Sequence, residues 1–94
     1  MKIIIIGDGK VGYKLARQLS TEKYDVVLID SDEKNLQIAT DHLDIACVAG
    51  NGADAEVLKQ ADIAHADLAI ACTSEDECNM LSCLIARKLG ARHT

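Results

Sequence analysis

The chain has 94 residues, which is room for one hydrophobic core and no second domain, so residues 1–94 are read as a single unit. Hydrophobic residues make up 49% of it, which excludes a disordered chain; with no proline and two aromatics, Val, Ile, Leu and Ala must fill the core. Fifteen acidic residues against ten Lys plus Arg give a formal net charge of -5, which argues against a nucleic-acid surface but leaves room for a small anion held by backbone N–H groups.

The run Ile3-Ile4-Ile5-Ile6 is too short to span a membrane and is cut off by a glycine turn, so it is neither an anchor nor a signal peptide and the chain reads as cytoplasmic. Lys2 to Ile6 is instead a continuous apolar strand, as expected where both faces of a parallel sheet are covered. Beyond the turn, Val11, Leu15 and Leu19 recur at helical spacing with Ala16 beside them. Asp25 leads into Val26-Val27-Leu28-Ile29, a second buried strand that ends at Asp30. Asp32 is the expected N-cap of a helix running through Leu36 and Ala39. A third strand spans Ile45 to Ala49 and ends at Gly50-Asn51-Gly52, and Val57, Leu58 and Ala61 mark a short helix. Leu68 to Cys72 is the fourth strand. Ser74-x-x-Glu77 then has the form of a capping box for a last helix, which carries Met80, Leu81, Leu84, Ile85 and Leu89 and stops near Gly90. Arg87 and Lys88 suit its C-terminal end.

This alternation predicts right-handed crossovers in a parallel sheet: a doubly wound, three-layer α/β/α arrangement. Another strand is expected to begin at Arg92-His93-Thr94, so the chain reads as a domain truncated after its fourth helix, the N-terminal portion of a longer protein.

Gly7-Asp8-Gly9-Lys10-Val11-Gly12 is a G-x-G-x-x-G that follows a buried strand directly and opens an amphipathic helix, the context the motif requires. Gly7 permits the tight turn, Gly9 lets the backbone approach a pyrophosphate, and Gly12 lets helix and strand pack closely. Phosphate then sits on the free N–H groups of the first helical turn, beside Asp8, Lys10 and Val11. Lys10 reads either as a phosphate contact or as an exposed charge. Asp30 lies eighteen residues beyond Gly12, at the carboxyl end of the second strand, where a carboxylate can accept from both hydroxyls of an adenosine ribose. A carboxylate there disfavours a 2′-phosphate, so NAD(H) or a nucleotide with an unphosphorylated ribose is preferred over NADP(H). Ser31 and Asp32 flank the ribose position, Asp32 as a cap before a ligand contact. Asn51 and Gly52 follow the third strand and Thr73 and Ser74 the fourth, all at the carboxyl edge where open parallel sheets bind ligands. Asn51 reads as an adenine or ribose contact or a turn residue, Thr73 as the mouth of the cleft or a cap neighbour. Together these features describe the nucleotide-binding half of a Rossmann-type domain.

No catalytic constellation emerges. His42, His65 and His93 are scattered away from the nucleotide edge, no Tyr-x-x-x-Lys pair follows the cleft, and the chemistry points to binding. The four cysteines lack Cys-x-x-Cys spacing; Cys47 and Cys72 read as small buried hydrophobes, and a metal site is not expected.

The glycine turn, the Ile29-Asp30 strand end, Gly50-Asn51-Gly52 and Thr73-Ser74-Glu75-Asp76-Glu77-Cys78-Asn79-Met80 together resemble the N-terminal domain of the Trk/Ktr potassium-uptake regulators, also described as RCK domains, over essentially the whole chain. The resemblance implies a Rossmann fold without enzymatic activity that binds NAD(H) or, alternatively, ATP/ADP. It also implies homo-oligomers, as dimers or rings of dimers, beneath a membrane potassium transporter or channel whose gating the nucleotide controls. Carried onto this chain, Gly7, Gly9 and Gly12 surround the phosphates, Asp30 the ribose and Asn51 the adenosine, while Thr73 sits at the far side of the cleft. Glu77 and Asn79 fall to helix capping, packing or subunit contact. Some relatives that favour ATP have arginine where this chain has Lys10, which leaves NAD(H) against ATP open. The competing reading is the coenzyme half of an NAD-dependent dehydrogenase.

Overall fold

The computed structural model describes residues 1–7 and 9–94; Asp8, one of the expected phosphate neighbours, lies outside the described residues. In chain order the elements are β1 (Lys2–Gly7), α1 (Lys10–Thr21), β2 (Asp25–Asp30), α2 (Glu33–His42), β3 (Ala46–Ala49), α3 (Ala55–Gln60), a 3₁₀ turn at Ile63–His65, β4 (Leu68–Cys72) and α4 (Asp76–Lys88).

The strands form one parallel sheet in the order β3-β2-β1-β4. The chain therefore winds outward from β1 to β3 and then crosses back to place β4 on the other side of β1. That reversal puts a topological switch point between β1 and β4, where the carboxyl ends of such sheets leave a crevice. Gly7 and Cys72 face each other across it as the last paired residues of the two strands.

The apolar run of β1 is divided between two cores because successive side chains leave a strand on opposite faces. Ile3 and Ile5 pack with Val26, Leu28, Ala16 of α1, and Leu36 and Ala39 of α2. Ile4 and Ile6 pack on the other face with Val27, Ile29, Leu58 of α3, Ile63 and Ala86 of α4. The three-layer, doubly wound arrangement is thus present, and its core is aliphatic as the composition requires. Beyond α4 the chain returns along the outer edge of β4, with Arg92 N donating to the Ala66 carbonyl at 3.0 Å and Ala69 N to the His93 carbonyl at 2.9 Å. Among the described residues no helix is long and apolar enough to cross a membrane.

Three expectations are corrected. The capping box does not form: Glu75 is the N-cap of α4, so Ser74 and Glu77 are each one position away from the cap and third helical residue that the box needs. The apolar periodicity of α4 does not mark its buried face. Met80 and Leu84 are 74% and 57% exposed and Leu81 is exposed too, whereas α4 buries Ser82 and Ala86, with Ile85 and Leu89 packed partly against the core. Small residues four apart let the helix lie close on the sheet, and that close approach decides the face over bulk hydrophobicity. On α1, likewise, Val11 is exposed and the buried residues are Gly12 and Ala16.

Candidate functional site

All four α-helices follow strands of a parallel sheet, so all begin at its carboxyl edge with four backbone N–H groups lacking helical partners. What each sequence does with those donors differs. Asp32 caps α2 by accepting from Lys34 N at 2.9 Å, and Asp54 caps α3 by accepting from Glu56 N at 2.9 Å. Acidic residues also occupy the first turns of α2 (Glu33), α3 (Glu56) and α4 (Asp76 and Glu77). Helix α1 has neither device: its N-cap is Gly9, no side chain caps it, and its first turn holds no acid. Among the described residues it is the one helix whose positive end is not offset by the protein itself, the condition for holding an anion.

The glycine geometry keeps that end accessible. Gly9 sits at φ 144, ψ -140, a backbone conformation reserved for glycine, and a Cβ there meets nothing within 4 Å, so the turn faces open space. Beneath it α1 rests directly on β1. A Cβ on Gly7 would stand 3.2 Å from Gly12 Cα and 3.1 Å from Cys72 Sγ, and one on Gly12 would stand 3.4 Å from Gly7 Cα. The three glycines thus hold the positions expected of them, two at the helix–strand contact and one in the turn. Gly12 lines none of the cavities described below.

Among the described residues, two cavities that share Thr73 open at this edge. One of about 240 Å³ is lined by Gly9, Lys10, Val11, Cys72, Thr73 and Ser74. The other, about 90 Å³, is lined by Ile6, Gly7, Ile29, Asp30, Ser31, Gly50, Asn51, Gly52, Thr73, Glu75 and Cys78. Thr73 borders both, so the sequence-predicted residues other than Gly12 and Asp8 gather around two adjoining spaces, one beside the bare helix end and one over Asp30.

Asp30 is only 3% exposed. Its Oδ1 accepts from Asp32 N at 2.9 Å, its Oδ2 from Asn35 Nδ2 at 3.2 Å, and its carbonyl from Gly50 N at 3.0 Å. Burial with several donors is how a carboxylate is kept at a sheet edge without heavy desolvation loss. Asn51 folds its side chain back into its own turn, Oδ1 accepting from Ala53 N at 2.8 Å, with the Cys78 thiol 3.9 Å away.

Opposite, the β4–α4 turn is braced by side chains. Asn79 Oδ1 accepts from Thr73 N at 2.8 Å and from Thr73 Oγ1 at 2.7 Å, while its Nδ2 donates to the Thr73 carbonyl at 3.1 Å. Glu75 N donates to Thr73 Oγ1 at 3.2 Å. Sequence reasoning passed over Asn35, Glu75 and Cys78 as site neighbours; the Asp30-x-Asp32-x-x-Asn35 spacing is the signal that could have found Asn35. Of the histidines, His42 bonds the Ile38 carbonyl and His65 the carboxylate of Asp62, and neither lines these cavities.

Known proteins resemble this chain in sequence and in fold. The family model of the TrkA-N domain matches residues 3–94. A Trk system potassium uptake protein TrkA from Azorhizobium caulinodans is 43% identical over 89 residues, covering 95% of this chain and 19% of that protein. A TrkA homolog from Methanothermobacter thermautotrophicus is 40% identical over 88 residues, covering 94% and 41% respectively. The chain therefore spans about a fifth of the first relative's length and about two fifths of the second's. Among solved structures, the GsuK channel bound to NAD superposes with a TM-score of 0.79 at 25% identity, over 95% of this chain and 16% of that one. The NAD(P)-binding domain of an exopolyphosphatase-related protein from Archaeoglobus fulgidus gives 0.80 at 20% identity, over 94% and 65%, a likeness of fold. On sequence and architecture together, the chain belongs to the TrkA-N domain family.

Proposed function

We propose that this domain binds an adenine nucleotide, NAD(H) or ATP/ADP, at the carboxyl edge of its sheet, and that it is the sensing part of a non-catalytic regulator of potassium uptake. The observation that carries the reading is the pairing of a bare helix end at Gly9 with a buried acid at Asp30 across adjoining cavities. Phosphates sit on the α1 N–H groups beside Lys10 and Val11, the ribose meets Asp30 and Ser31, the adenosine reaches Asn51 and Gly52, and Thr73 closes the far side. No group in these cavities is needed to make or break a bond: the chain's residues bind, orient and report. The relatives named as Trk potassium uptake proteins and the NAD-bound channel support the regulatory context, in which the whole protein acts from the cytoplasm as an oligomer on a membrane transporter or channel.

Calorimetric titration with NADH, NAD⁺, ATP, ADP and NADPH tests the reading. Binding of NADH or ATP with NADPH excluded is the expected result, and the ranking names the ligand. A folded chain that binds none of the five overturns it.

A further inference from the structure

Among the described residues, two kinds of donor hold the Asp30 carboxylate. The Asp32 N–H on Oδ1 belongs to the backbone at the α2 cap and is present whatever side chains surround it. On Oδ2 the side-chain amide of Asn35 donates from the first turn of α2, and it is a choice of sequence. At 3% exposure the carboxylate has little water to replace that donor if it is removed. A carboxylate oxygen accepts more than one hydrogen bond, so an amide donating to Oδ2 is compatible with a hydroxyl donating to the same oxygen. Asn35 is also neutral: a cation here would pair with Asp30 and draw its charge away from a ligand, whereas the amide fixes the plane of the carboxylate and leaves the charge in place.

We propose that Asn35 is a positioning residue for nucleotide recognition, which orients the Asp30 carboxylate toward the two hydroxyls of the adenosine ribose. The inference rests on the nucleotide reading above and extends it to a residue that does not line the small cavity over Asp30. Asn35 instead borders a groove between α1 and α2, with Tyr13, Lys14 and Ile38 as neighbours. Its half-buried place there means that a leucine of similar size fits without opening a void in the core.

The test compares the wild-type chain with Asn35→Leu, which keeps volume and removes the donor, and Asn35→Asp, which sets a like charge against Asp30. Each is titrated with ATP and NAD⁺ and with the counterparts of both that lack the adenosine ribose hydroxyls, after thermal melts establish that the variants fold. For the nucleotide the wild type binds, Asn35→Leu is expected to lose about tenfold in affinity and Asn35→Asp more, while affinity for the hydroxyl-free counterpart changes less than about twofold. A loss in Asn35→Leu that is equal for both ligands, or no loss, overturns the positioning role and leaves the nucleotide reading standing. A wild type that binds a nucleotide and its hydroxyl-free counterpart equally removes the ribose role of Asp30 and this inference with it. A wild type that binds neither ATP nor NAD⁺ overturns the nucleotide reading itself.

Discussion

The β1–α1 and β4–α4 turns stand side by side at the switch point, joined through the Gly7–Cys72 pair, and both lead from a parallel strand into a helix. Among the described residues the first offers its helix backbone alone, with Gly9 as the cap, no side-chain hydrogen bond to the helix end and no acid in the first turn of α1. The second is filled by its own side chains, Thr73 and Asn79 bonding each other three ways, with Asp76 and Glu77 in the first turn of α4. The topology is common to both; among the described residues, the side-chain oxygens that brace the second turn have no counterpart in the first. Where they are present they consume local donors and offset the helix dipole, and where glycine replaces them the same donors remain for a ligand. A parallel sheet thus offers several equivalent helix ends, and among the described residues α1 is the one left without a side-chain cap or a first-turn acid.

The largest effect is expected from furnishing the open turn with carbon. Gly12→Ala places its Cβ at ordinary contact distances, 3.4 Å from Gly7 Cα and 3.6 Å from Leu28 Cδ1, but the branches of Gly12→Val extend into a packed strand. Overpacking of this kind costs about 1–3 kcal/mol, so urea unfolding of Gly12→Val is expected to show a loss at the upper end of that range. Nucleotide binding should fall with it, since α1 must lift from β1. A valine variant as stable as wild type refutes the close-contact account of the turn.

Next comes Asp30→Ala. Its burial and its donors mean that the change removes more than a ligand contact. The Asp32 N–H and the Asn35 amide both lose their acceptor, and stability is expected to drop by about 1–3 kcal/mol. Affinity for NADH or ATP should fall at least about tenfold. Unchanged affinity in a folded Asp30→Ala chain removes Asp30 from the ribose site.

Breaking the closed turn separates the two regions. Asn79→Ala abolishes three hydrogen bonds around Thr73 and is expected to lower stability by about 1–2 kcal/mol in the same urea experiment. Nucleotide affinity should change by no more than about threefold, because the helix end proposed to hold phosphate belongs to α1. An affinity loss larger than that of Asp30→Ala would make the β4–α4 turn the principal binding element and reverse the comparison. A smaller and oppositely signed pair of effects is expected from Lys10→Glu. An acid in the first turn of α1 favours the helix by about 0.3–1 kcal/mol while lowering nucleotide affinity by about fivefold at low salt, and both changes should fade as salt is added.

The two turns were not equally legible. The open one could be read because glycine has few reasons to recur at this spacing after a buried strand, and Asp30 because a strand end fixes where its carboxylate lies. The strands were legible for a related reason: the runs Ile3 to Ile6 and Val26 to Ile29 are apolar on both faces, and only a covered sheet uses both. The closed turn depends on Asn79 reaching six residues back to Thr73, a contact that exists only once α4 has begun at Asp76. Ser74-x-x-Glu77 imitates a capping box one residue out of step. The face of α4 was misread because Ser82 and Ala86 earn burial by being small, a property that hydrophobic periodicity does not weigh. Asn35 is legible only through its spacing from Asp30, because an amide in a first helical turn has no distinctive pattern of its own.

A last contrast sets the carboxyl edge against the opposite edge, where charges pair with one another. Asp62, half-exposed, accepts from His65 Nδ1 at 2.7 Å and from Lys2 Nζ at 3.2 Å, and these hydrogen bonds, His65 first, hold its carboxyl below the ordinary value of 3.8. A carboxyl whose value is lowered by folding adds stability above its unfolded value, and that stability is lost as pH falls through the folded one. Asp62→Asn isolates the charge: the residue sits at φ 63, which asparagine tolerates as well as aspartate. Thermal melts should place the variant slightly below wild type near neutral pH. The gap should close as pH drops past 3.8, with nucleotide affinity unaltered at the pH where both fold. A gap that persists in acid would assign the difference to the backbone at this position, and a change in affinity would mean that the two edges of the sheet are coupled.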